Sequence, residues 1–412
     1  MQPYGCESRH RHSIFCILPP HILREVARRG SAAQRNAALN TLALDATHRM
    51  QRATMQLLAA APRQVVTGAA PHVRRTIYTA GNQETKPGQL VRSEGQAAVA
   101  DQSVNEAYDG LGHTFDFYLE IYQRNSIDGQ GLPLNAIVHY GQDYDNAFWD
   151  GQEMVFGDGD KTIFNRFTIS VDVIGHELTH GVTGSEVNLT YLGQSGALNE
   201  SVSDVFGSLI KQYVLKQTAN EADWLIGEGL LTFQGQALRS MKAPGTAYDN
   251  NVLGKDPQPA DTQHYVRTAQ DNGGVHINSG IPNHAFYLAA VAIGGNAWEK
   301  AGQIWYDTIR DKSLKASANF AAFAGRTVAN AGHRYGSNSA EQKAVSDAWN
   351  KVGVKPARHC RQCTAQHQRQ HLPTPDVDAG GFGRRLVLLD RKQRHAEARV
   401  LDPERDQQGD HD

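Results

Sequence analysis

The sequence predicts an α+β protein in which a strand-rich half precedes a helical half. Between about Thr76 and Gly159, short apolar runs such as "NAIVHYG" and "EMVFGDGD" are separated by Gly, Asn and Asp, which is typical of antiparallel strands and turns. One helical segment, "VNEAYDGLGHTFDFYLEIY", interrupts them. After Ser170, apolar residues recur mostly at helical spacing, as in "GALNESVSDVFGSLIKQYVL". This order of elements indicates an α+β fold.

The composition narrows the class of partner. The chain has 412 residues, which is enough for two or three domains and a sizeable core. Its 41 basic and 43 acidic residues nearly cancel, so no overall field would recruit nucleic acid or an anionic membrane. No apolar run reaches the roughly 18 residues that a membrane span needs. A protein or small-molecule substrate is therefore expected, with neither nucleic acid nor membrane as a partner.

Residues 1–70 differ in composition from the rest and predict a small helical segment. The run "PPHILREVARRG" predicts a short helix that begins at proline and ends at Gly30, and "SAAQ" has the pattern of a capping box that opens a second helix. Apolar residues at helical spacing, among them Leu39, Leu42 and Leu44, continue this second helix. The first 20 residues predict no classical signal peptide, because two prolines interrupt their apolar run.

The last segment, residues 355–412, is predicted to be a disordered tail. It is rich in Arg, Gln, His and Asp, and the apolar periodicity stops after Val354. Its Cys360 and Cys363, with nearby histidines, either form a second metal site or belong to the unstructured tail. Between Cys16 and Cys360 the chain contains no cysteine, so no disulfide framework supports the body of the protein.

The stretch "DVIGHELTHGV" contains the pattern H-E-x-x-H. Residues four apart share one face of a helix, so His176 and His180 can bind one metal ion while Glu177 reaches a water on it. An ordinary polar helix is the alternative. A catalytic zinc site needs a third protein ligand, which Glu200 in "GALNESVSD" can supply. Asp204, one helical turn further on, can orient a ligating histidine.

The chain resembles the thermolysin family of zinc metalloendopeptidases. The resemblance is carried by "HELTH", "NESVSD", "NAFWDGQEMVFGDGD", "NLTYLGQSGALNE", "LRSM" and "DNGGVHINSGIPNHAFYL", which follow one another in order between about Thr76 and Val354. It implies a thermolysin-like two-lobed fold with the zinc-binding helix between the lobes. The strand-rich lobe would span residues 71–183 and the helical lobe residues 184–354.

The resemblance also implies a role for each residue of the site. One catalytic zinc ion would be bound by His176, His180 and Glu200, with Glu177 as general base. Asp204 and Asn199 would support the ligands. Tyr191 and His276 would stabilise the oxyanion, and Asp271 would pair with His276. The peptide backbone of the substrate would be bound by Asn146, Ala147 and Arg239. An apolar pocket for the residue after the cleaved bond would be formed by Phe164, Phe167, Val173, Ile226 and Leu238.

Calcium is a second cofactor that the resemblance suggests. Asp172, Asp223 and Glu228 match carboxylates of a two-calcium site in this family. Two departures, Lys211 and Leu225, remove acidic ligands, and a lysine ammonium can replace the charge of a cation but cannot coordinate one. At most one calcium ion is therefore expected, and a solvated acidic surface without an ion is the alternative.

Residues 1–70 resemble the short propeptide of the protealysin-like branch of the same family. The chain is thus expected to be a zymogen that removes this segment itself, with the cut between about Ala59 and Arg75; a retained helical domain is the alternative. Cys16 could act as a zinc-binding latency switch or simply be buried. The resemblance suggests secretion of a monomeric enzyme, and the missing signal peptide leaves a cytoplasmic location as the alternative.

Two rival functions have separate tests. A zinc aminopeptidase also uses two histidines and a downstream glutamate, but it needs an acidic element for the free amine, and the chain has no Gly-x-Met-Glu-Asn run. Cleavage of an N-terminally blocked peptide would eliminate it. A non-catalytic binding protein on the same fold is the rival from another class. The presence of Glu177, Tyr191 and His276 argues against that rival.

Overall fold

The computed structural model describes residues 15–58 and 71–357, and for Phe15 and residues 49–58 it describes the backbone alone. The predicted tail beyond residue 357, the Cys360 and Cys363 pair and most of the predicted cleavage region lie outside the described residues. The described helices are α1 Pro20–Arg29, α2 Ala32–Leu58, α3 Gln102–Tyr122, α4 Val171–Ser185, α5 Gly193–Leu215, α6 Asp271–Asn278, α7 Gly280–Ile293, α8 Ala301–Arg310, α9 Phe320–Tyr335 and α10 Ala340–Lys351.

Strands concentrate before residue 160, as the sequence predicts. Six of them form one sheet: β1 Phe15–Cys16, β2 Arg75–Thr79, β3 Gln89–Ser93, β4 Leu134–Val138, β5 Ala147–Trp149 and β6 Glu153–Phe156. Four two-residue strands form two small ribbons in the second half: β7 Leu225–Ile226 with β8 Arg239–Ser240, and β9 Asp249–Asn250 with β10 Gly254–Lys255. The α+β prediction, with strands before helices, is confirmed.

The large sheet has the order β1-β5-β6-β4-β2-β3 and is mixed. The prediction of antiparallel strands is wrong for two pairs, because β4 runs parallel to both β2 and β6. The physical reason is α3, which lies between β3 and β4 in sequence and carries the chain back across the sheet, so that the returning strand runs parallel to β2. The antiparallel pairs are β1 with β5, β2 with β3, and β5 with β6.

Helix α1 begins and ends where the sequence predicts, and helix α2 begins where it predicts. Pro20 occupies the first position of α1, and Gly30 caps its end with an N–H donated to Val26 O at 2.8 Å. The capping box that opens α2 is formed, since Ser31 N–H donates to Gln34 Oε1 at 2.9 Å and Gln34 N–H donates to Ser31 Oγ at 3.3 Å.

The buried face of α2 includes three polar side chains, which the leucine spacing does not predict. Leu39 is 49% exposed, whereas Thr41, Asp45 and His48 are buried. These three side chains lie one helical turn apart and face the segment from Tyr140 to Phe148. The segment 15–48 therefore packs on the strand-rich lobe through polar groups as well as apolar ones.

The central pair of helices is α4 and α5, both almost entirely buried. They approach closely because glycines lie at the contact: a Cβ on Gly207 would come within 2.4 Å of Asp172 O, and one on Gly175 within 2.6 Å of Ile210 Cδ1. The packing thus places α4 and α5 side by side with their polar faces toward one another. Among the described helices, none combines the length and the apolar character that crossing a bilayer requires.

Candidate active site

Helix α4 presents both motif histidines from one face, as the four-residue spacing predicts. The Nε2 atoms of His176 and His180 lie 3.1 Å apart, and both rings are fully buried. Helix α5 brings Glu200 opposite them, with carboxylate oxygens 3.5 Å from His176 Nε2 and 3.6 Å from His180 Nε2. Within residues 15–58 and 71–357, these three side chains form the one set of three potential metal ligands whose atoms all lie within 4.8 Å of one another.

The hydrogen bonds around the two rings show that this set fits a cation. His176 Nδ1 lies 2.8 Å from Asp204 Oδ1, and His180 Nδ1 lies 2.9 Å from Asn199 Oδ1. Because both acceptors require a proton on Nδ1, each Nε2 presents a lone pair to the other. Among the described residues, Glu200 Oε2 is buried without a hydrogen-bond partner. Two nitrogen lone pairs and a buried carboxylate oxygen are the three protein ligands that a catalytic zinc site requires.

Asp204 is itself held in place by several donors. Its two oxygens accept from Arg239 Nε and Nη2, each at 2.8 Å, and Oδ2 also accepts from Asn283 Nδ2 at 2.8 Å. Burial alone would raise the pKa of Asp204, but Arg239 and His176 outweigh it and lower this pKa to about 2. Asp204 is therefore an ionised carboxylate that fixes the ring of His176.

Glu177 lies beside the ligand set without belonging to it. Its Oε2 accepts from Trp149 N–H at 3.0 Å, and its Oε1 is buried with no hydrogen-bond partner among the described residues. Burial raises the pKa of Glu177 to about 8. A carboxylate with one free oxygen and a pKa near neutrality suits the exchange of a proton with water.

The residues predicted to stabilise an oxyanion converge on the same point. His276 Nδ1 lies 2.7 Å from Asp271 Oδ1, and His276 Nε2 lies 3.2 Å from the Tyr191 hydroxyl, which also donates to Glu200. Burial opposes the charge on His276, but Asp271 and Glu200 outweigh it and raise the pKa of His276 to about 9. Left-handed backbone at Gly273 and Gly274 turns the chain into the helical turn that carries His276.

A piece of this chain lies across the site: β1 ends at Cys16, and the chain bends at Ile17 and Leu18. Ile17 N–H donates to Ala147 O at 3.2 Å, Leu18 N–H donates to Asn146 Oδ1 at 3.1 Å, and Arg239 Nη1 donates to Ile17 O at 3.0 Å. All three residues predicted to bind a peptide backbone thus bind residues 17 and 18.

The five residues predicted to form an apolar pocket are all buried and belong to the main hydrophobic core, which also contains the fully buried Ile17. They are Phe164, Phe167, Val173, Ile226 and Leu238. Cys16 is also buried, and it packs with Tyr144 and Phe148 in a smaller apolar cluster. Its thiol does not join the set of potential metal ligands, which favours the buried alternative over a latency switch.

The residues matched to a calcium site surround an ammonium group. Lys211 Nζ lies 2.7 Å from Asp223 Oδ2, 3.0 Å from Glu228 Oε2 and 3.9 Å from Asp172 Oδ2. Desolvation acts against the charge, but the carboxylates raise the pKa of Lys211 to about 12. In the described part of the chain these three carboxylates do not form a metal-ligand set of the kind found at the histidines.

Several residues of the site were missed by the sequence analysis. Ser203 Oγ lies 3.0 Å from His180 Nδ1, and Asn283 supports Asp204. Asp45, on the buried face of α2, accepts from the Tyr144 hydroxyl at 2.6 Å and from Asn146 Nδ2 at 2.9 Å. No local signal in the sequence marks Asp45, because other polar residues such as Gln34, Arg35 and Asn40 are spread along the same helix.

The fold and the site together define a metallopeptidase, and comparison with known proteins agrees. Residues 32–184 match the family model of the thermolysin metallopeptidase catalytic domain, and residues 187–354 match that of its alpha-helical domain. The chain is 52% identical to an extracellular metalloprotease of Pectobacterium carotovorum subsp. carotovorum over 348 residues, which cover 83% of this chain and 97% of that protein. It is 46% identical to protease PrtS of Photorhabdus sp. (strain Az29), over 82% of this chain and 92% of that protein.

Among solved structures, the precursor of protealysin from Serratia proteamaculans is similar to this chain. The TM-score is 0.75 and the sequence identity 55%, with 82% of this chain and 99% of that chain covered. The chain belongs to the thermolysin family of metallopeptidases, as its motifs indicated. It is a peptide hydrolase of the protealysin-like kind, and zinc is the metal that this family implies.

Proposed function

We propose that the protein is a zinc-dependent endopeptidase that cleaves internal peptide bonds before bulky apolar residues and is made as a zymogen. The observation that carries the proposal is the convergence of His176, His180 and Glu200 beside the unpartnered carboxylate oxygen of Glu177. A ligand set, a base and a donor pair in one cleft suit the addition of water to a peptide carbonyl.

Each residue has a separate task in this reaction. A zinc ion bound by the three ligands supplies a Lewis acid that polarises the peptide carbonyl and lowers the pKa of water to about 7. Glu177 takes a proton from the attacking water and passes it to the leaving nitrogen. His276, kept protonated by Asp271, and the Tyr191 hydroxyl donate to the carbonyl oxygen as it gains negative charge. One donor of this kind typically contributes about 3 kcal/mol.

The substrate preference is proposed from the pocket residues and the backbone contacts. Ala147, Arg239 and Asn146 offer an acceptor, a donor and a second acceptor to an extended peptide, in the order in which residues 17 and 18 use them. A bulky apolar side chain after the cleaved bond suits the buried aromatic and aliphatic side chains of Phe164, Phe167, Val173, Ile226 and Leu238.

Latency is proposed from the position of residues 15–48. Residues 16–18 use the backbone-binding groups of the cleft, so a substrate and this segment cannot bind together. The solved relative is a precursor by its title, and we propose that residues 1–70 are the propeptide, 71–183 and 184–354 the two catalytic lobes, and 355–412 the tail. The relatives named extracellular metalloproteases support secretion over a cytoplasmic location. We further propose a monomer with at most one calcium ion.

The deciding experiment compares the purified protein with its Glu177→Ala variant. The expected result is one zinc ion in each, loss of the N-terminal segment in the wild type alone, and hydrolysis of casein and of an N-terminally blocked peptide by the wild type alone. Activity restricted to peptides with a free amine would identify an aminopeptidase instead. Equal processing of both proteins, with no cleavage of casein by either, would identify a non-catalytic protein and refute the proposal.

A further inference from the structure

The segment in the cleft is aligned in one particular register. The carbonyl oxygen of Cys16 lies 3.2 Å from His276 Nε2. The next residue, Ile17, donates its N–H to Ala147 O and accepts from Arg239 through its carbonyl, and the N–H of Leu18 donates to Asn146 Oδ1. Four successive backbone groups are therefore bound, and the carbonyl that faces the oxyanion histidine belongs to Cys16.

This register places the amide bond between Cys16 and Ile17 where a substrate bond would be cut. His276 is the proposed oxyanion donor, so the carbonyl it contacts is the one that water would attack. The side chain after that bond is Ile17, which is fully buried and apolar, as the proposed preference requires.

A cavity borders this bond on the side of His276. A cavity of about 200 Å³ lies beside Cys16 and is lined on the enzyme side by Tyr191, Asp271, Asn272 and His276. It is large enough for several water molecules and is bordered by polar groups that can bind them. The segment therefore covers the substrate-binding groups without closing the cleft.

Resting on the proposed function, we propose that the Cys16–Ile17 bond is a self-cleavage site and that the N-terminal segment inhibits the enzyme as a bound, slowly hydrolysed substrate. Water adds to the Cys16 carbonyl carbon, Glu177 transfers a proton of that water to the Ile17 nitrogen, and the C–N bond breaks. The products are a carboxylate at Cys16 and an amine at Ile17, and one water is consumed.

The chain on the carboxyl side of the cut stays docked in the cleft, because helix α1 begins two residues after Leu18. The α1 residues Ile22, Leu23 and Val26 are fully buried. At the surface of the cleft, His21 Nε2 lies 3.1 Å from the Tyr248 hydroxyl and Arg24 Nη1 donates to Gln270 Oε1 at 2.8 Å. These contacts hold the new amine of Ile17 beside the site after cleavage. Inhibition therefore outlasts the cut, and activation requires removal of the helices as well.

The first test uses mass spectrometry of the zinc-loaded full chain. Under denaturing conditions, the wild type is expected to yield fragments that end at Cys16 and begin at Ile17, at a rate independent of protein concentration. Under native conditions the fragment that begins at Ile17 should still be inactive toward blocked peptide, because its helix α1 remains docked in the cleft. The Glu177→Gln variant should stay intact.

Two substitutions test the register. Ile17→Leu should be cut at the same bond, whereas Ile17→Asp should lose the cut because a carboxylate would enter an apolar pocket. Cleavage on either side of Leu18 would overturn the self-cleavage proposal. The proposal would also fail if the segment stays intact in a preparation that hydrolyses blocked peptide once the segment is removed. Either result would leave the proposed function standing. Absence of blocked-peptide hydrolysis would instead count against the proposed function.

A second test does not depend on turnover. The Glu177→Gln chain is labelled with ¹³C at its cysteine carbonyls, of which the sequence has four, and is titrated with zinc alone. One carbonyl resonance is expected to shift, and Cys16→Ser should remove that resonance. If none of the four responds while zinc binds, or if the responding resonance survives in Cys16→Ser, the register proposed here is wrong.

Discussion

The metal centre and the interface of α2 with the cleft are both built from buried polar side chains, but they differ in how each group is held. At the metal centre, Asp204 accepts from three side chains, and both histidines are fixed through Nδ1. At the α2 interface, Thr41 Oγ1 accepts from Asp145 N–H at 3.0 Å, and Asp45 accepts from the Tyr144 hydroxyl and from Asn146 Nδ2. The first set of bonds joins residues of the proposed catalytic lobes to one another, whereas the second joins the proposed propeptide to a lobe. We therefore expect a permanent site beside an interface that can be released.

The largest expected effect is at the permanent site. Glu177→Gln removes the group proposed to take a proton from water, and the kcat/KM for a blocked peptide should fall roughly 10³-fold in the processed enzyme. Zinc content should not change, because Glu177 is not a ligand. Glu299→Gln, an exposed glutamate in the helical lobe, is the matched control. Wild-type activity in Glu177→Gln would remove Glu177 from the mechanism.

The next effect concerns the support of the ligands. Asp204→Asn leaves the fully buried Arg239 without its ion-pair partner and weakens the orientation of His176. We expect zinc affinity to fall about 10- to 100-fold and the free energy of unfolding to fall by about 3 kcal/mol. Competition with a chelator measures the zinc affinity, and urea unfolding measures the free energy of unfolding.

Asp307→Asn breaks a two-bond pair with Arg334 on the surface and is the control for Asp204→Asn, with an expected change of less than about 1 kcal/mol. Equal unfolding curves for the two variants would show that the buried network does not stabilise the fold.

A smaller effect is expected at the releasable interface. Asp45→Ala removes an acceptor from Tyr144 and Asn146 and should weaken docking of the N-terminal segment by about 2 kcal/mol, or roughly 30-fold. The unprocessed protein should then hydrolyse blocked peptide faster than the wild type. Thr47→Ala, on the exposed face of the same helix, should change nothing. If the two variants behave alike, α2 does not hold the segment in the cleft.

A pH-dependent effect of about 1 kcal/mol is expected away from both regions. His139 lies 2.8 Å from both Asp158 and Asp101, and the bond to Asp158 is the main reason that its pKa is raised to about 9. Because the folded pKa exceeds the ordinary value, this stabilisation is complete below about pH 6.5 and is lost as the pH rises through about 9.

The stability difference between wild type and His139→Asn should therefore shrink to near zero by about pH 10, measured by urea unfolding. A difference that stays constant across this range would mean that the charge on His139 contributes nothing.

The smallest expected effect is that of calcium. Lys211 already neutralises Asp223 and Glu228, so added calcium should move the Tm of the wild type by less than about 1 °C. Lys211→Ala exposes the carboxylates to one another, and calcium should raise the Tm of this variant. A large rise in the wild type would show that an ion binds despite the lysine.

The comparison of the two regions also explains what could be predicted from the sequence. His176 and His180 are four residues apart, and Glu200 lies 20 residues beyond His180, on the next helix, so helical periodicity and one downstream motif were sufficient to predict the ligand set. Contacts such as Tyr144 with Asp45 join residues 99 apart, and nothing local distinguishes that aspartate from one on a solvated face.

The mixed sheet was missed for a related reason. The alternation of apolar and polar residues in β2 and β4 predicts strands, but it does not state which strand is the neighbour. The direction of pairing depends on the crossover through α3, which is a property of the whole lobe.

The ammonium of Lys211 has a consequence for the conditions in which the folded enzyme persists. A dissolved cation stabilises a protein only in proportion to its occupancy, which falls when the medium is diluted or chelated. The ammonium of Lys211 is covalently attached to α5, so its effective concentration is set by the length of the lysine side chain and it cannot dissociate from the protein. The contact between α5 and the Asp223–Glu228 loop should thus be the same in calcium-poor and calcium-rich surroundings, and only the zinc centre should respond to a chelator.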